Sequence, residues 1–299
     1  MFPGQGSQYP GMLDHINQRL INQVANLTGI ELNDDQNAYK DSVQIQLSIL
    51  IIQLEKINQL KQTGFYPQIV CGHSLGVFAA AVAAGVISSQ DSIRLVFYRA
   101  LLMKKAYPKG YGMGVIVGLT RQEISKLVKH IYDENEPLFT SNQNSELQVT
   151  VSGSISAIKK VLRLSKKRGA RLAKLLNVPN PSHSPLMQPV AEKLDKRLRK
   201  MNLKEPKCIY LTNYKGRAVY AVDQVRYDLG HNLAYPVYWN TMTDVAKELG
   251  TQVAIEFPPG HTFTRLLKRK DTNIHVLTLS DMSVDDIVYL LNKLKRGSL

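Results

Sequence analysis

The sequence predicts an α/β protein with a largely parallel sheet, on two observations. Predicted strands and helices alternate along the chain, which is typical of parallel strands joined by helices. A short apolar run at 68–71 leads directly into Gly72-His73-Ser74-Leu75-Gly76, and an alanine-rich stretch follows at 77–84. A strand, a glycine-bounded turn and a buried helix in this order form a nucleophile elbow of the kind found in α/β-hydrolase folds. We therefore expect a large α/β-hydrolase-like domain that presents Ser74 on this turn.

The elements around the elbow follow from periodicity and capping signals. Apolar spacing indicates helices at 12–27 and 41–62, followed by a strand at 67–72. After the elbow, Ser88 with Asp91 three residues later is a capping-box pattern. It opens a helix that we expect to end near Ala106.

The composition of the chain changes at 107–112, a segment rich in glycine and tyrosine. The following elements are predicted beyond it: a strand at 114–118, a helix at 121–132, a strand at 147–151, a basic helix at 154–168 and a strand at 173–178. This alternation predicts a small ferredoxin-like subdomain at 113–178. It would be inserted into a large catalytic domain formed by 1–112 and 179–299.

Composition restricts the class of protein. A chain of 299 residues can bury a large core, and only two cysteines exclude a disulfide framework. We find no metal-ligand cluster and no phosphate-cradling glycine loop. No signal peptide is apparent, and the apolar run at 47–52 is too short to span a bilayer. We therefore expect a soluble, cytoplasmic protein with no metal site and no membrane contact.

The net charge of +14 is concentrated in one region. Thirteen lysines and arginines lie between 159 and 200, against only Glu192 and Asp195. Neither interleaved aromatic residues nor a nucleic-acid motif accompanies them, so we expect no nucleic-acid partner. Apolar residues at helical spacing in 155–162 leave two interpretations open. The cations either cover a solvated helix face or form a landing surface for an acidic protein or a phosphorylated cofactor.

A serine hydroxyl needs a base before it becomes a good nucleophile. Among the seven histidines, His183 lies on a loop braced by three prolines at 179–185, which fixes the backbone without forming a regular helix. His231 and His261 are also predicted in loops and stay as alternatives. His73 precedes the nucleophile and is expected to line the pocket. The alternative interpretation of Ser74 itself is an ordinary turn serine.

Several motifs together resemble one family over essentially the whole chain. In order they are Phe2-Pro3-Gly4-Gln5-Gly6-Ser7-Gln8, Gly72-His73-Ser74-Leu75-Gly76, Arg99, Asn142 with Asn144, Pro181-Ser182-His183 and Pro258-Pro259-Gly260. This order, with 25 residues from Ser74 to Arg99 and 109 to His183, resembles the malonyl-CoA:acyl carrier protein transacylases. One departure is that the family normally has a few more strand residues before Phe2.

The resemblance implies a role for each matching residue. Ser74 would be acylated, with His183 as general base and then general acid. The backbone N–H groups of Gln5 and Leu75 would form the oxyanion hole. Arg99 would bind the free carboxylate of the malonyl group, although its position alone favours a surface helix residue. A planar guanidinium suits this role because it can bind a carboxylate through two hydrogen bonds.

Further implied roles concern the surroundings of the base. Asn232 would orient His183 through its main-chain carbonyl, in place of a triad acid. Asn142 and Asn144 would approach the pocket from the small subdomain, near His73.

One subgroup of the family is favoured over the fatty-acid synthesis enzyme. The segments 106–113, 116–119 and 256–260, and Val77 where those enzymes commonly have Glu, resemble the epsilon subunit of malonate decarboxylase. The resemblance implies malonyl-CoA as substrate, no permanently bound cofactor, and an acidic acyl carrier protein as partner. Other malonate decarboxylase subunits would be further partners. The alternative in the same class is the transacylase of fatty-acid synthesis.

Two interpretations from other classes remain. A serine hydrolase or thioesterase shares the Gly-x-Ser-x-Gly elbow, but its catalytic order is Ser, acid, His. In this sequence, no acidic residue followed by a late histidine is as good a candidate for the base as His183. A subunit that only docks a carrier protein is the other interpretation, and it would not need Ser74, His183 and Arg99 together.

Overall fold

The computed structural model describes residues 1–107, 109–270 and 273–296. Pro108, which belongs to the predicted boundary segment 107–112, lies outside the described residues. The first half of the chain forms α1 (Gln18–Thr28), α2 (Ser42–Gln62), β1 (Ile69–Cys71), α3 (Gly76–Ala83), α4 (Ser89–Ala106), β2 (Tyr111–Val117), α5 (Arg121–Ile131), β3 (Leu138–Ser145) and β4 (Gln148–Ser154). The second half forms α6 (Ile155–Lys167), β5 (Leu172–Leu175), α7 (Gln188–Leu198), β6 (Ile209–Leu211), β7 (Ala218–Val219), α8 (Val222–His231), α9 (Trp239–Glu248), β8 (Val253–Glu256), α10 (Thr262–Lys270), β9 (His275–Thr278) and α11 (Val284–Lys295).

The larger part of the protein is organised around short, mainly parallel strands. β1 pairs in parallel with β6, which pairs antiparallel with β7, and β8 pairs in parallel with β9. Met1 and Phe2 connect the two groups of strands. Phe2 bridges Gly72 in parallel, and the backbone N–H of Phe257 donates to the carbonyl of Met1 at 2.9 Å. The mixed α/β class is therefore confirmed, and the elbow lies at the carboxyl end of β1.

Helix α2 crosses the centre of this core. Most of its residues are buried, because its apolar side chains are distributed around the whole helix rather than along one stripe. Gln46 and Gln53 are nevertheless fully buried within it. Buried amides need hydrogen-bond partners, and both of these find them beside the elbow.

The inserted segment forms a separate four-stranded antiparallel sheet in the order β3-β4-β2-β5. It has its own hydrophobic core, to which α5 and α6 contribute Ile124, Leu127, Ile158 and Val161. Strand β3 is absent from the sequence-based prediction. Its residues after Phe139 are polar and its pairing with β4 is irregular between Thr140 and Ser145, so it lacks the apolar alternation that marks a half-buried strand.

Two boundaries also differ from the prediction. The helix expected from residue 12 begins only at Gln18, because Asn17 caps it by accepting the backbone N–H of Arg19. Strand β2 begins at Tyr111, so the predicted domain boundary at 112/113 falls inside a strand. The helices predicted at 41–62 and from Ser88 to Ala106 are confirmed, with Asp41 and Ser88 as their N-caps. Among the described helices, none is both long enough and apolar enough to cross a bilayer.

Candidate active site

The elbow turn requires the two glycines of its motif. Ser74 adopts a left-handed backbone conformation with φ of 54°, which is uncommon for a residue with a side chain. A Cβ atom on Gly72 would lie 2.2 Å from the carbonyl carbon of Gly76, and one on Gly76 would lie 2.0 Å from the carbonyl oxygen of Phe2. No larger residue fits at either position without moving the backbone. The predicted tight turn is therefore present, with Ser74 between β1 and α3.

His183 is the histidine that meets this serine. Its Nε2 atom lies 2.8 Å from Ser74 Oγ, while its Nδ1 atom lies 2.8 Å from the carbonyl oxygen of Asn232 and 3.2 Å from that of Tyr235. Because carbonyl oxygens only accept hydrogen bonds, Nδ1 carries the proton and Nε2 accepts the hydroxyl of Ser74. The predicted contact with the main chain of Asn232 is present, and it fixes the tautomer that a general base needs.

The other candidate bases are engaged elsewhere. His231 stacks on Tyr227 and places its Nδ1 atom 3.1 Å from that residue's carbonyl oxygen. His261 lies 3.5 Å from a carboxylate oxygen of Asp281.

Burial lowers the pKa of His183 to about 3, with the neighbouring charges of His73 and Arg99 acting in the same direction. The hydrogen bonds to the carbonyl oxygens of Asn232 and Tyr235 oppose this shift in the pKa. The imidazole is therefore neutral, and able to accept a proton, throughout the physiological pH range.

This low pKa predicts the pH dependence of serine acylation. For an unperturbed histidine, with a pKa of about 6.5, the neutral fraction would fall about thirtyfold between pH 8 and pH 5. We expect kcat/KM for the acyl donor to fall less than about threefold over that range, because His183 stays neutral. Stopped-flow acylation of the wild type and of His231→Gln, with circular dichroism at each pH, measures this. An apparent pKa near 6.5 in both proteins would contradict the prediction.

Two backbone N–H groups beside Ser74 are available to an oxyanion. Within the described parts of the chain, neither the N–H of Gln5 nor that of Leu75 donates to a protein acceptor. Gly4 packs so closely that a Cβ there would lie 2.7 Å from the carbonyl oxygen of His73, which brings the Gln5 loop against the elbow. The N–H of Ser74 is unavailable because it donates to Asn213 Oδ1 at 2.8 Å. Both N–H groups are therefore free to donate to an oxyanion, the role that the resemblance implies for Gln5 and Leu75.

Arg99 lies beside the nucleophile rather than on the surface. It is 1% exposed, its Nη2 atom donates to Ser74 Oγ at 3.3 Å, and its Nη1 atom donates to Gln46 Oε1. No described Asp or Glu side chain forms an ion pair with it. Burial lowers the pKa of Arg99 to about 9, so the guanidinium remains charged at neutral pH. A buried cation without an anion is costly, and a ligand carboxylate would compensate it.

The small sheet reaches the site through Asn144. The Oδ1 atom of Asn144 lies 3.0 Å from His73 Nε2, and the irregular pairing of β3 places it there. The His73 ring packs on Phe263 and Trp239, and burial lowers its pKa to about 4. Asn142 is buried and anchored through its backbone N–H to Thr150 Oγ1 at 2.8 Å. Its Oδ1 atom has no partner among the described residues.

Three residues that support the site were missed by sequence reasoning. Gln46 holds Arg99, and Asn213 holds the elbow by accepting from Ser74 and donating to the carbonyl of Gly72. Gln53 donates to the carbonyl oxygens of Pro3 at 2.9 Å and Pro258 at 3.0 Å, which ties together the two loops beside the oxyanion hole. No local pattern marks the two glutamines, because α2 also carries other polar residues such as Gln44, Ser48 and Glu55.

A cleft of about 880 Å³ leads from the surface to His183, a size typical of small-molecule sites. One wall comes from α5 and β3, and the other from the loops around His183 and Tyr235. Its lining includes Lys129, Tyr132, Phe139, Gln188, Ala234 and Pro236. The cleft therefore runs between the two parts of the fold and reaches His183, whose Nε2 atom contacts Ser74.

A serine on an elbow, an oriented imidazole and free N–H groups are the arrangement that acyl transfer through a serine requires. The chain belongs to the acyl transferase domain family, whose model matches residues 1–296. It is an acyltransferase.

Individual relatives agree with this membership. The chain is 32% identical to the malonyl CoA-acyl carrier protein transacylase of Haemophilus influenzae, over 95% of each protein. The solved malonyl CoA-acyl carrier protein transacylase of Coxiella burnetii superposes with a TM-score of 0.90 at 29% identity, covering 98% of this chain and 96% of that one. A malonyl-transacylase solved in complex with a type II PKS acyl-carrier protein gives a TM-score of 0.89 at 30% identity, covering 95% of this chain and 96% of that one.

Proposed function

We propose that this acyltransferase moves a malonyl group from malonyl-CoA to the thiol of an acyl carrier protein through malonyl-Ser74. The observation that carries the proposal is Arg99, a buried guanidinium that touches the nucleophile and has no acid partner among the described residues. An acyl group with a free carboxylate matches this cation, and a simple acetyl group does not. The names of the relatives support the same donor and acceptor.

The first half-reaction forms the acyl-enzyme. His183 Nε2 takes the proton of Ser74 while Oγ attacks the thioester carbonyl of malonyl-CoA, and the resulting oxyanion accepts from the N–H groups of Gln5 and Leu75. The C–S bond then breaks, and His183 returns the proton to the sulfur of CoA. The malonyl group remains on Ser74 with its carboxylate at Arg99.

The second half-reaction reverses these steps with a new thiol. A carrier-protein thiol gives its proton to His183 and attacks the ester carbonyl of malonyl-Ser74. The oxyanion forms in the same place, the C–O bond to Ser74 breaks, and Oγ recovers the proton from His183. Each thiol would reach Ser74 through the cleft, past Lys129 at its wall.

The pathway we propose is fatty-acid synthesis. The preference for the malonate decarboxylase epsilon subunit, drawn from 106–113, 116–119, 256–260 and Val77, receives no support from the relatives. The relatives named above are malonyl transacylases, and they favour the alternative. In the structure, the acid of 256–260 has a local role, because Glu256 is buried and caps α10 by accepting from the backbone N–H groups of Phe263 and Thr264.

We also infer the division of the chain into two subdomains. The order β2-α5-β3-β4-α6-β5, with its own core, supports a ferredoxin-like unit inserted in an α/β-hydrolase-like catalytic domain. Since β2 begins at Tyr111, the first boundary is better placed just before that residue than at 112/113. The second, at 178/179, falls in the loop that carries His183.

The activity itself is tested with labelled malonyl-CoA and a carrier protein bearing a phosphopantetheine thiol. We expect the label on the carrier thiol, with one equivalent of CoA released per malonyl group transferred. Release of free malonate at the same rate, with no label on the carrier, would instead indicate a hydrolase.

The exposed cations on α6 support an acidic carrier as partner. Its apolar residues, among them Ile158 and Val161, face the small core, while its lysines and arginines point outwards. Lys166, Lys167 and Arg168 extend this basic surface to the end of the helix, and all three are exposed.

Removal of these charges should weaken carrier binding selectively. In Lys166→Ala/Lys167→Ala/Arg168→Ala we expect KM for the carrier to rise about three- to thirtyfold at low salt, with self-acylation by malonyl-CoA unchanged. Steady-state transfer at about 20–50 mM and at about 300 mM salt measures this, and the difference should vanish at high salt. The control removes three exposed cations of α10, Arg265, Lys268 and Arg269. An equal rise in KM in both triple variants would point to net charge rather than to α6.

A further inference from the structure

A buried carboxylate lies between the two halves of the site without touching either reacting group. Asp228, on α8, is 1% exposed. None of the proposed steps uses it. Buried acids occur where their hydrogen bonds fix a structure, so its partners indicate its role.

One set of partners leads to the nucleophile. The carboxylate of Asp228 accepts the backbone N–H of Tyr214, the residue after Asn213, at 3.1 Å. Asn213 is fully buried, accepts the N–H of Ser74 at 2.8 Å and donates to the carbonyl of Gly72. Asp228 therefore holds the loop that carries Asn213, whose side chain binds the backbone of the elbow at Gly72 and Ser74.

A second set leads to the base. The main-chain carbonyl of Asp228 accepts the backbone N–H of Asn232 and its Nδ2 atom, the latter at 2.9 Å. The carbonyl of Asn232 in turn accepts the Nδ1 proton of His183 at 2.8 Å. The 3₁₀ turn Asn232–Ala234, which orients the imidazole, is thus attached to the main chain of Asp228. The carboxylate of the same residue holds the loop that carries Asn213.

A third contact fixes this residue in the fold. The hydroxyl of Tyr210, on β6, donates to the second carboxylate oxygen of Asp228 at 3.1 Å. Burial raises the pKa of Asp228 to about 6, which leaves the group ionised at a pH of about 7.5. The two oxygens of the carboxyl group accept from Tyr214 and from Tyr210, which joins the 213–214 loop to β6.

We propose that Asp228 is a positioning residue that fixes Ser74 and His183 relative to each other, through Asn213 on one side and Asn232 on the other. The inference rests on the proposed roles of Ser74 and His183. Small displacements of reacting groups have large kinetic effects, since a shift of about 1 Å can cost about a hundredfold in rate. The network has no direct contact with the acyl donor, so its loss should affect the rate more than binding.

The test is Asp228→Ala, which removes both acceptor oxygens and leaves the backbone N–H of Tyr214 without its partner. We expect the single-turnover rate of Ser74 acylation to fall about ten- to a hundredfold, with KM for malonyl-CoA within about threefold of wild type. Labelling of Ser74 by a fluorophosphonate should fall by the same factor. That probe depends on the serine–histidine geometry and not on the malonyl group.

Three variants separate positioning from general stability. Ile287→Ala, in the remote buried part of α11, supplies a comparable loss of Tm and should label within about twofold of wild type. Tyr210→Phe removes one donor to Asp228 but leaves the 213–214 loop attached, and should cost less than about threefold. Asn213→Ala should reproduce the loss, and it replaces Asp228→Ala if that variant does not fold.

Equal labelling rates in Ile287→Ala and in the Asp228 or Asn213 variant, at a matched loss of Tm, would overturn the inference. Fluorophosphonate labelling that is normal in wild type without any malonyl transfer would overturn the proposed function instead. In that case the labelling rates of the variants still decide the role of Asp228.

Discussion

Ser74→Ala is expected to lose the malonyl adduct completely and to slow transfer to the carrier by about 10⁴-fold or more. In the proposed cycle both half-reactions pass through an ester on Ser74 Oγ, the atom that lies 2.8 Å from His183 Nε2. Intact-protein mass spectrometry after brief incubation with malonyl-CoA measures the adduct directly. Wild type should gain one malonyl group, and the variant none.

The matched control is Ser92→Ala, which removes another buried serine hydroxyl. Ser92 Oγ donates within α4 to the carbonyl of Ser89 at 2.8 Å and has no part in the site. It should acquire the adduct at the wild-type rate. A persistent adduct in Ser74→Ala would place the acyl group on another nucleophile and reject the proposed mechanism. Loss of the adduct in both variants would indicate damage to the fold rather than to the chemistry.

The elbow was predictable because its geometry is local. Gly72 and Gly76 are required within five residues of chain, by backbone contacts that no side chain tolerates. A strand before the turn and an apolar helix after it complete the signal. The same locality explains the success with α2 and α4, whose N-caps Asp41 and Ser88 immediately precede their apolar patterns.

Other parts depend on tertiary contacts that a local pattern does not record. Strand β3 is polar because its edge faces the site, where Asn144 meets His73, and so its sequence is typical of a loop. Asn213 lies 139 residues from Ser74, and nothing near it in the chain marks it as the elbow clamp. Such residues become visible only when the sheet brings their loops together.

Arg99 shows most clearly what a local sequence pattern cannot predict. Its helix carries exposed cations such as Lys104, and periodicity alone favours a solvated position for Arg99 as well. The structure buries it against Gln46, a second polar residue whose position on the apolar helix α2 was equally uninformative alone. The contact between Arg99 and Gln46 explains why both polar side chains are buried, but a sequence pattern does not reveal that contact.

This burial predicts that Arg99→Ala reverses the preference between acyl donors. Malonyl-CoA should lose a charge-assisted pair of hydrogen bonds worth about 3 kcal/mol or more. That corresponds to a fall of about a hundredfold or more in kcat/KM for acylation. Acetyl-CoA has no carboxylate to lose, so its kcat/KM should change less than about tenfold. The two donors are mixed in one sample, and mass spectrometry measures the ratio of malonyl to acetyl adduct. This ratio gives the relative kcat/KM of the two donors.

Arg94→Ala is the matched control, since it removes an arginine from the same helix whose side chain is half-exposed and paired with Asp91 at 3.4 Å. It should leave the ratio of adducts unchanged. Arg99→Lys keeps the charge but not the planar fork, and we expect it to recover only part of the malonyl preference. A parallel fall for both donors in Arg99→Ala would mean that the guanidinium supports the elbow through Ser74 Oγ rather than selecting the carboxylate. Selective loss of malonyl transfer would establish that a buried, unpaired cation sets the substrate class of this site.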